Sequence, residues 1–247
     1  MKAPIAPLLL AGIITLTGCA STYSQHYSGA ERGFLTDQWI LGNCFRSGSG
    51  GVPGGKPDKE MAAIWYTKAA DRGHVPSLYN LAMLYIEGDG VPHDPGKAAE
   101  LLEMAAHQGD VQSQYRLGML ILDFVCVDYE CGSQKHKVVA KGKSDAGRWF
   151  LWAAERGHVD AQYQLACLYD TAAHDNWNEK EILIDLGGDV HDTKAYRAEA
   201  EKWYKKAIEQ GHEPAASRYE AFKTNAWGCG IDKTPRGEAY RKAVLGS

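Results

Sequence analysis

The most conspicuous chemical candidate is Gly50-Gly51-Val52-Pro53-Gly54-Gly55-Lys56, which satisfies G-x-x-x-x-G-K, the outline of a phosphate-cradling loop. The next residue is Pro57, so the hydroxyl that would hold Mg²⁺ is missing, and the preceding segment reads as helix rather than strand. These glycines are expected to lengthen a turn between helices, and no nucleotide or other cofactor is expected. Three histidines, His74, His158 and His212, each directly follow a glycine and invite a metal-site reading. They recur at one landmark of a repeating pattern and should lie a repeat apart, too far to share an ion with ligand bonds of about 2 Å. They read as helix-junction residues. His174-Asp175 and His191-Asp192 bracket a long insertion, but no H-E-x-x-H, C-x-x-C or calcium-loop spacing supports them, so no metal is expected. Neither S-x-x-K nor G-x-S-x-G occurs, and no cysteine has a convincing histidine partner. The expectation is a protein that is not an enzyme and has no catalytic residues.

The formal charge is -4 with a sequence pI near 6.1, which offers no basic field for counterion release on nucleic acid. Lys135, His136, Lys137, Lys141 and Lys143 form a local basic stretch, read chiefly as a solvated loop. At the N-terminus, Lys2 precedes an apolar run from Ala3 to Leu16 without an acidic residue, the make-up of an export signal. Fourteen helical residues would reach about 21 Å, short of the ~30 Å hydrocarbon slab, so a permanent span is the poorer reading. The run closes on Leu16-Thr17-Gly18-Cys19, which resembles the lipobox of bacterial lipoprotein precursors. That resemblance implies a signal peptide over 1–18, acylation of Cys19 (palmitate among the chains) and, since Ala20 rather than Asp follows, sorting to the outer membrane. Two or more acyl chains, each CH₂ worth about 0.8 kcal/mol when buried, would anchor the protein at the periplasmic face. Residues 19–32, polar and poor in aliphatics, are expected to form a flexible tether.

Five further cysteines follow: Cys44, Cys126, Cys131, Cys167 and Cys229. An oxidising compartment permits bridges. Cys126 and Cys131 are the favoured pair, close in sequence within one insertion. Cys44 and Cys167 fall on apolar helix faces, where a small buried hydrophobe is the simpler explanation.

The elements that must position all these residues repeat. KAADRGHVPSLYNLAMLY (68–85), MAAHQGDVQSQYRLGMLI (104–121) and WAAERGHVDAQYQLACLY (152–169) align without gaps, and KAIEQGHEPAASRYEAFK (206–223) matches in its first half. The shared glycine falls at 73, 109, 157 and 211, and Gly33 precedes Leu41-Gly42 in the same register. Ala69-Ala70, Ala105-Ala106 and Ala153-Ala154 end one helix with small residues, and the glycine that follows suits a left-handed cap. A second helix follows at once, with apolar residues such as Leu78, Leu81 and Leu84 at helical spacing. Asp94 suits an N-cap with Pro95 as the first helical residue. The product is an αα-hairpin about every 36 residues.

These residues resemble the Sel1-like repeat, a relative of the tetratricopeptide repeat; Gly73 to Gly109 matches almost throughout, at Leu81, Tyr85, Gly88, Gly90, Val91, Asp94, Lys97, Ala98, Ala105 and Ala106. The resemblance implies an all-α, right-handed superhelical solenoid of about five helix-turn-helix repeats over 33–247, in which neighbouring hairpins bury a shared core. Insertions between paired helices are expected at about 124–144 and 171–193. Six residues after each glycine stands an aromatic: Trp39, Tyr79, Tyr115 and Tyr163. Their neighbours Asn80, Arg116 and Gln164 are polar. A regular aromatic ladder describes an inter-repeat core first, and a candidate groove formed by Tyr79, Asn80, Tyr115, Arg116, Tyr163 and Gln164 second. The functional expectation is an outer-membrane lipoprotein acting as an adaptor or assembly scaffold for an envelope or secreted protein. The alternatives are a cell-wall hydrolase at the insertions or a peptidoglycan- or polysaccharide-binding module, the latter if Trp177 and Trp227 are exposed.

Overall fold

Small residues followed by a glycine mark where one helix of each repeat stops, and the computed structural model shows the result at the five repeat glycines. Gly33, Gly73, Gly109, Gly157 and Gly211 all take φ between +79° and +89°, the left-handed region that a Cβ disfavours. The structure describes residues 14–127, 143–173 and 192–224, with side chains at 22–122, 145–173 and 192–224. Among these residues all regular structure is helical. The chain divides into two units, Met1–Asp94 and Pro95–Ser247.

The first unit contains α1 (Ile14–Glu31), α2 (Leu35–Ser47), α3 (Lys59–Ala70) and α4 (Val75–Glu87), each packed on its chain neighbour. The glycine-rich segment singled out above is the connection from α2 to α3. It leaves α2 through left-handed Gly48 and enters α3 at Asp58, whose carboxylate accepts the Met61 amide at 2.9 Å. The second unit contains α5 (Pro95–His107), α6 (Val111–Val127), α7 (Lys143–Glu155), α8 (Val159–Ala173), α9 (Thr193–Glu209) and α10 (Glu213–Lys223). Here too packing runs from each helix to the next. Pro95 opens α5, where its missing N–H is no loss. Asp192, bracketed above as a possible ligand, caps α9 by accepting the Ala195 amide at 2.8 Å. His174, Asp175 and His191 lie outside the described residues, as does the body of both insertions.

Within each unit, one hairpin core is an interlock of a glycine with a large ring, Gly42 with Tyr66 in the first and Gly118 with Phe150 in the second. Nine residues after the repeat glycine stand Gly42, Ala82, Gly118 and Ala166, and seven before the next one stand Tyr66, Leu102, Phe150 and Tyr204. All four large side chains are completely buried. Tyr66 lies so close to Gly42 that a Cβ there would stand 2.4 Å from the ring, and Phe150 would be 2.8 Å from a Cβ at Gly118. Burial pushes the Tyr66 phenol up to about 12; its hydroxyl donates to Asn43 Oδ1 at 2.7 Å, an acceptor that also receives Asn80 Nδ2 at 3.2 Å.

Two expectations require correction. Of the segment 19–32, all but the last residue is helical within α1, and its second half is packed rather than a loose tether. Tyr23 stands edge-on to Phe45, Tyr27 edge-on to Trp65, His26 Nδ1 meets Asp37 Oδ1 at 2.6 Å, and the Tyr23 amide donates to Gly50 O at 2.8 Å. The physical reason is that Gly29-Ala30 occupies the place of the alanine pair before Gly33, so α1 covers the face of α2 that a preceding hairpin would cover. Cys167 is not a plain buried hydrophobe: it is disulfide-bonded, to a partner outside the described residues. Cys44 is a buried thiol in α2. The side chains of Cys19, Cys126 and Cys131 lie outside the described set, so neither the lipidation site nor the favoured disulfide is described.

Gly42→Ala is expected to lower stability by about 1–3 kcal/mol, because the methyl group must displace a buried ring, and a urea unfolding midpoint equal to wild type would contradict the interlock. Peptide mapping without reductant should recover Cys167 in a cross-linked peptide and Cys44 as a thiol that alkylates only after unfolding.

Candidate functional site

The junctions between successive first helices gather the residues that the sequence pattern marked. Five residues after the repeat glycine, Gln38, Gln114 and Gln162 are buried, and each donates Nε2 back to a helix-end carbonyl at 3.1 Å: Ala30, Ala106 and Ala154 respectively. Each of these carbonyls also accepts the N–H of the repeat glycine three residues on, at 3.0, 2.9 and 3.0 Å, and the buried amide supplies a second donor at the helix end. In the second unit the amide oxygens are used as well. Gln162 Oε1 accepts Gln210 Nε2 at 2.8 Å, and Gln114 Oε1 lies 3.4 Å from Arg156 Nη1. Both donors stand directly before a repeat glycine. In the first unit Arg72 occupies that place and instead reaches the Gly33 carbonyl.

The histidines complete the same junctions. His158 and His212 accept the Ala161 and Ala215 amides on Nδ1 at 3.2 and 3.0 Å, so each is the N-cap of the helix it precedes. Their Nε2 atoms face the previous first helix, His158 toward Gln112 Oε1 at 2.6 Å and His212 toward Asp160 Oδ1 at 3.3 Å. Each ring also meets the aromatic of the preceding copy. Tyr115 stacks on His158 at 4.5 Å, Tyr163 tilts on His212 at 4.9 Å, and in the first unit Trp39 lies 6.2 Å from His74. Burial pulls the His74 and His158 imidazoles below the ordinary histidine value.

Of the candidate groove residues, Tyr115 and Tyr163 are therefore seam residues. Tyr79 is half-buried on α4, beside Asn80 with its bond to Asn43. Tyr115, Arg116, Tyr163 and Gln164 are half-buried on α6 and α8. Nothing in this arrangement aligns an acid, a base and a nucleophile. Among the described residues there is also no group of three or more potential metal ligands and no helix long and apolar enough to cross a membrane.

At the far end of the second unit the sequence reading missed a buried charge. Asp170 is 0% exposed and its Oδ2 accepts Arg218 Nη2 at 2.7 Å, Arg218 Nε at 3.2 Å and the Tyr204 hydroxyl at 3.1 Å. Burial and the neighbouring carboxylate raise the Tyr204 phenol well above its usual range. Arg218 stands seven residues after Gly211, the place of Asn80, Arg116 and Gln164, so its position was legible; its partner, on a face otherwise apolar, was not.

Hairpins locked in one register, each capped against the last, define an all-α repeat protein. The Sel1 repeat model matches residues 37–74, 75–110, 159–172 and 196–212 of this chain. The last two matches fall on α8 and α9, either side of an insertion. The unmatched α6 and α7 keep the repeat register through Gln114, Gly118, Phe150 and Gly157. An exopolysaccharide production negative regulator of Rhizobium meliloti (strain 1021) is 27% identical over 204 residues, covering 82% of this chain and 67% of the relative. A protective antigen of uropathogenic Escherichia coli with an SLR fold superposes with a TM-score of 0.61 at 24% identity, over 93% of this chain and 45% of that one. This chain thus spans less than half of that antigen's length. A Sel1 repeat protein from Oxalobacter formigenes gives 0.61 at 22% identity, over 92% and 79%. Both structures share the fold. Sel1 repeats typically serve protein–protein interaction and are generally not enzymatic.

Arg218→Met leaves a fully buried carboxylate with its chief partner removed, and is expected to destabilise the protein by about 3–5 kcal/mol in denaturant unfolding. A loss below about 1 kcal/mol would show that the pair is not a keystone of this end.

Proposed function

We propose that this protein is a non-catalytic adaptor, anchored by acylated Cys19 in the outer membrane at its periplasmic face, that docks an envelope or secreted protein. The observation that carries the reading is the regular row on the first helices of the second unit. Tyr115 and Tyr163 present partly exposed edges beside Arg116 and Gln164, on a scaffold of the class that typically binds proteins. Amphipathic rings next to hydrogen-bonding side chains are a composition favoured at interfaces. The export-like segment and Leu16-Thr17-Gly18-Cys19 support the location. The regulatory name of the Rhizobium meliloti relative supports an adaptor that controls an envelope process.

A second reading, polysaccharide binding, is favoured by one observation in the second unit. An open cleft of about 430 Å³ lies where α5 and α7 end, lined by His107, Gln114, Trp152, Glu155 and Arg156. An aromatic ring among planar polar groups is suited to a sugar.

Photo-crosslinking separates the readings. A crosslinking side chain at Arg116 or Gln164 should trap a discrete protein adduct in envelope extracts, while the same group at exposed Lys202 on α9 should not. Equal labelling at all three sites would end the adaptor reading, and a glycan-array signal abolished by Trp152→Ala would replace it. Metabolic palmitate labelling that survives Cys19→Ala would end the anchor.

A further inference from the structure

The histidine that caps α8 works only in one protonation state. Its Nδ1 receives a backbone N–H from Ala161, so that nitrogen must hold a lone pair, and the ring proton must sit on Nε2, which points at Gln112 Oε1 2.6 Å away. Adding a proton places a second N–H against the Ala161 amide. The cap then becomes a donor facing a donor, and the first turn of α8 loses the partner for its amide.

We infer that His158 is an acid-operated latch, whose protonation uncaps α8 and loosens its seam with α6 while the rest of the hairpin core stays folded. The groups around the ring decide the sense of the switch. From α6, the Tyr115 ring stacks on it and the Arg116 guanidinium opposes a second positive charge. From the end of α7, Arg156 is turned toward Gln114 and the Trp152 carbonyl. From α8 itself, Asp160 favours the charged form, but that carboxylate also faces His212 Nε2 at the start of α10. Burial outweighs Asp160 and holds His158 below its ordinary value.

The sign follows from linkage. The folded imidazole binds its proton more weakly than the unfolded one, so the stabilisation is complete above the unfolded value of about 6.5 and is lost as pH falls through the folded value. His74 does not share the device: its Nδ1 meets the Ser77 hydroxyl at 2.9 Å, which can donate or accept as the ring requires. His212 shares the cap, but its Nε2 faces the Asp160 carboxylate instead of a neutral amide oxygen.

Residue-resolved amide hydrogen exchange, corrected for intrinsic rate, tests the latch on the full chain at pH 7.5 and pH 5.0. Protection at the Ala161 amide is expected to fall about tenfold at the lower pH, the scale of a lost N-cap. His158→Asn, which caps without titrating, should abolish that fall. Equal protection at both pH values in the wild type, or the same loss in His158→Asn, overturns the inference. Nitrogen shifts of the His158 ring supply an independent reading that needs no variant. The Nε2–H tautomer at neutral pH, titrating below 6.5, is expected; the Nδ1–H tautomer or an ordinary midpoint would contradict it.

Discussion

A helix that ends beneath another helix must satisfy its last carbonyls locally, and in this protein a glutamine from the next helix adds a second donor to a carbonyl that already accepts the repeat glycine's N–H. Gln38, Gln114 and Gln162 make the same 3.1 Å bond to an alanine carbonyl three residues before a repeat glycine. The consequence is geometric. A bond between fixed positions on consecutive helices sets how far the second can slide along the first. The interlock of Gly42 with Tyr66 and of Gly118 with Phe150 sets the register on the other side of the same helices, α2 against α3 and α6 against α7, because a shift of one residue would set a Cβ-bearing side chain against a ring that has no room for it.

With the register fixed, the histidines and aromatics become explicable as one device. His158 and His212 each cap the new helix, face the previous one and pack on its aromatic, so a single side chain serves both local structure and the seam between repeats. Stability of such a chain is a sum over neighbours, and its weak points are the seams rather than the hairpin cores. The second unit places an imidazole that must stay neutral, His158, at one seam and a fully buried ion pair, Asp170 with Arg218, at another. One is sensitive to acid and the other to loss of a single partner.

The sequence made the hairpins legible because their punctuation is local: alanine pairs, left-handed glycines and apolar residues at helical spacing act within one turn of where they stand. The Gly50–Lys56 segment was correctly read as a turn for the same reason. What it hid was pairing across distance. Gln114 reads as an ordinary polar residue until the carbonyl of Ala106 is seen beneath it, and Asp170 reads as an exposed acid until Arg218, 48 residues on, closes over it. The polar composition of Ala20–Ala30 hides the helix α1, although Gly29-Ala30 repeats the junction signal. The aromatic row was found by spacing alone, but its histidine partners come from the following copy, so its part in the seam emerged only from the fold.

The most direct test of the glutamine constraint is native-state hydrogen exchange on Gln162→Met, which keeps the side chain's bulk and removes its donor. The account predicts that amides at the end of α7 and the start of α8 lose protection first, ahead of the hairpin cores around Phe150 and Tyr204. Protection unchanged at that seam, or lost uniformly along the second unit, would contradict it.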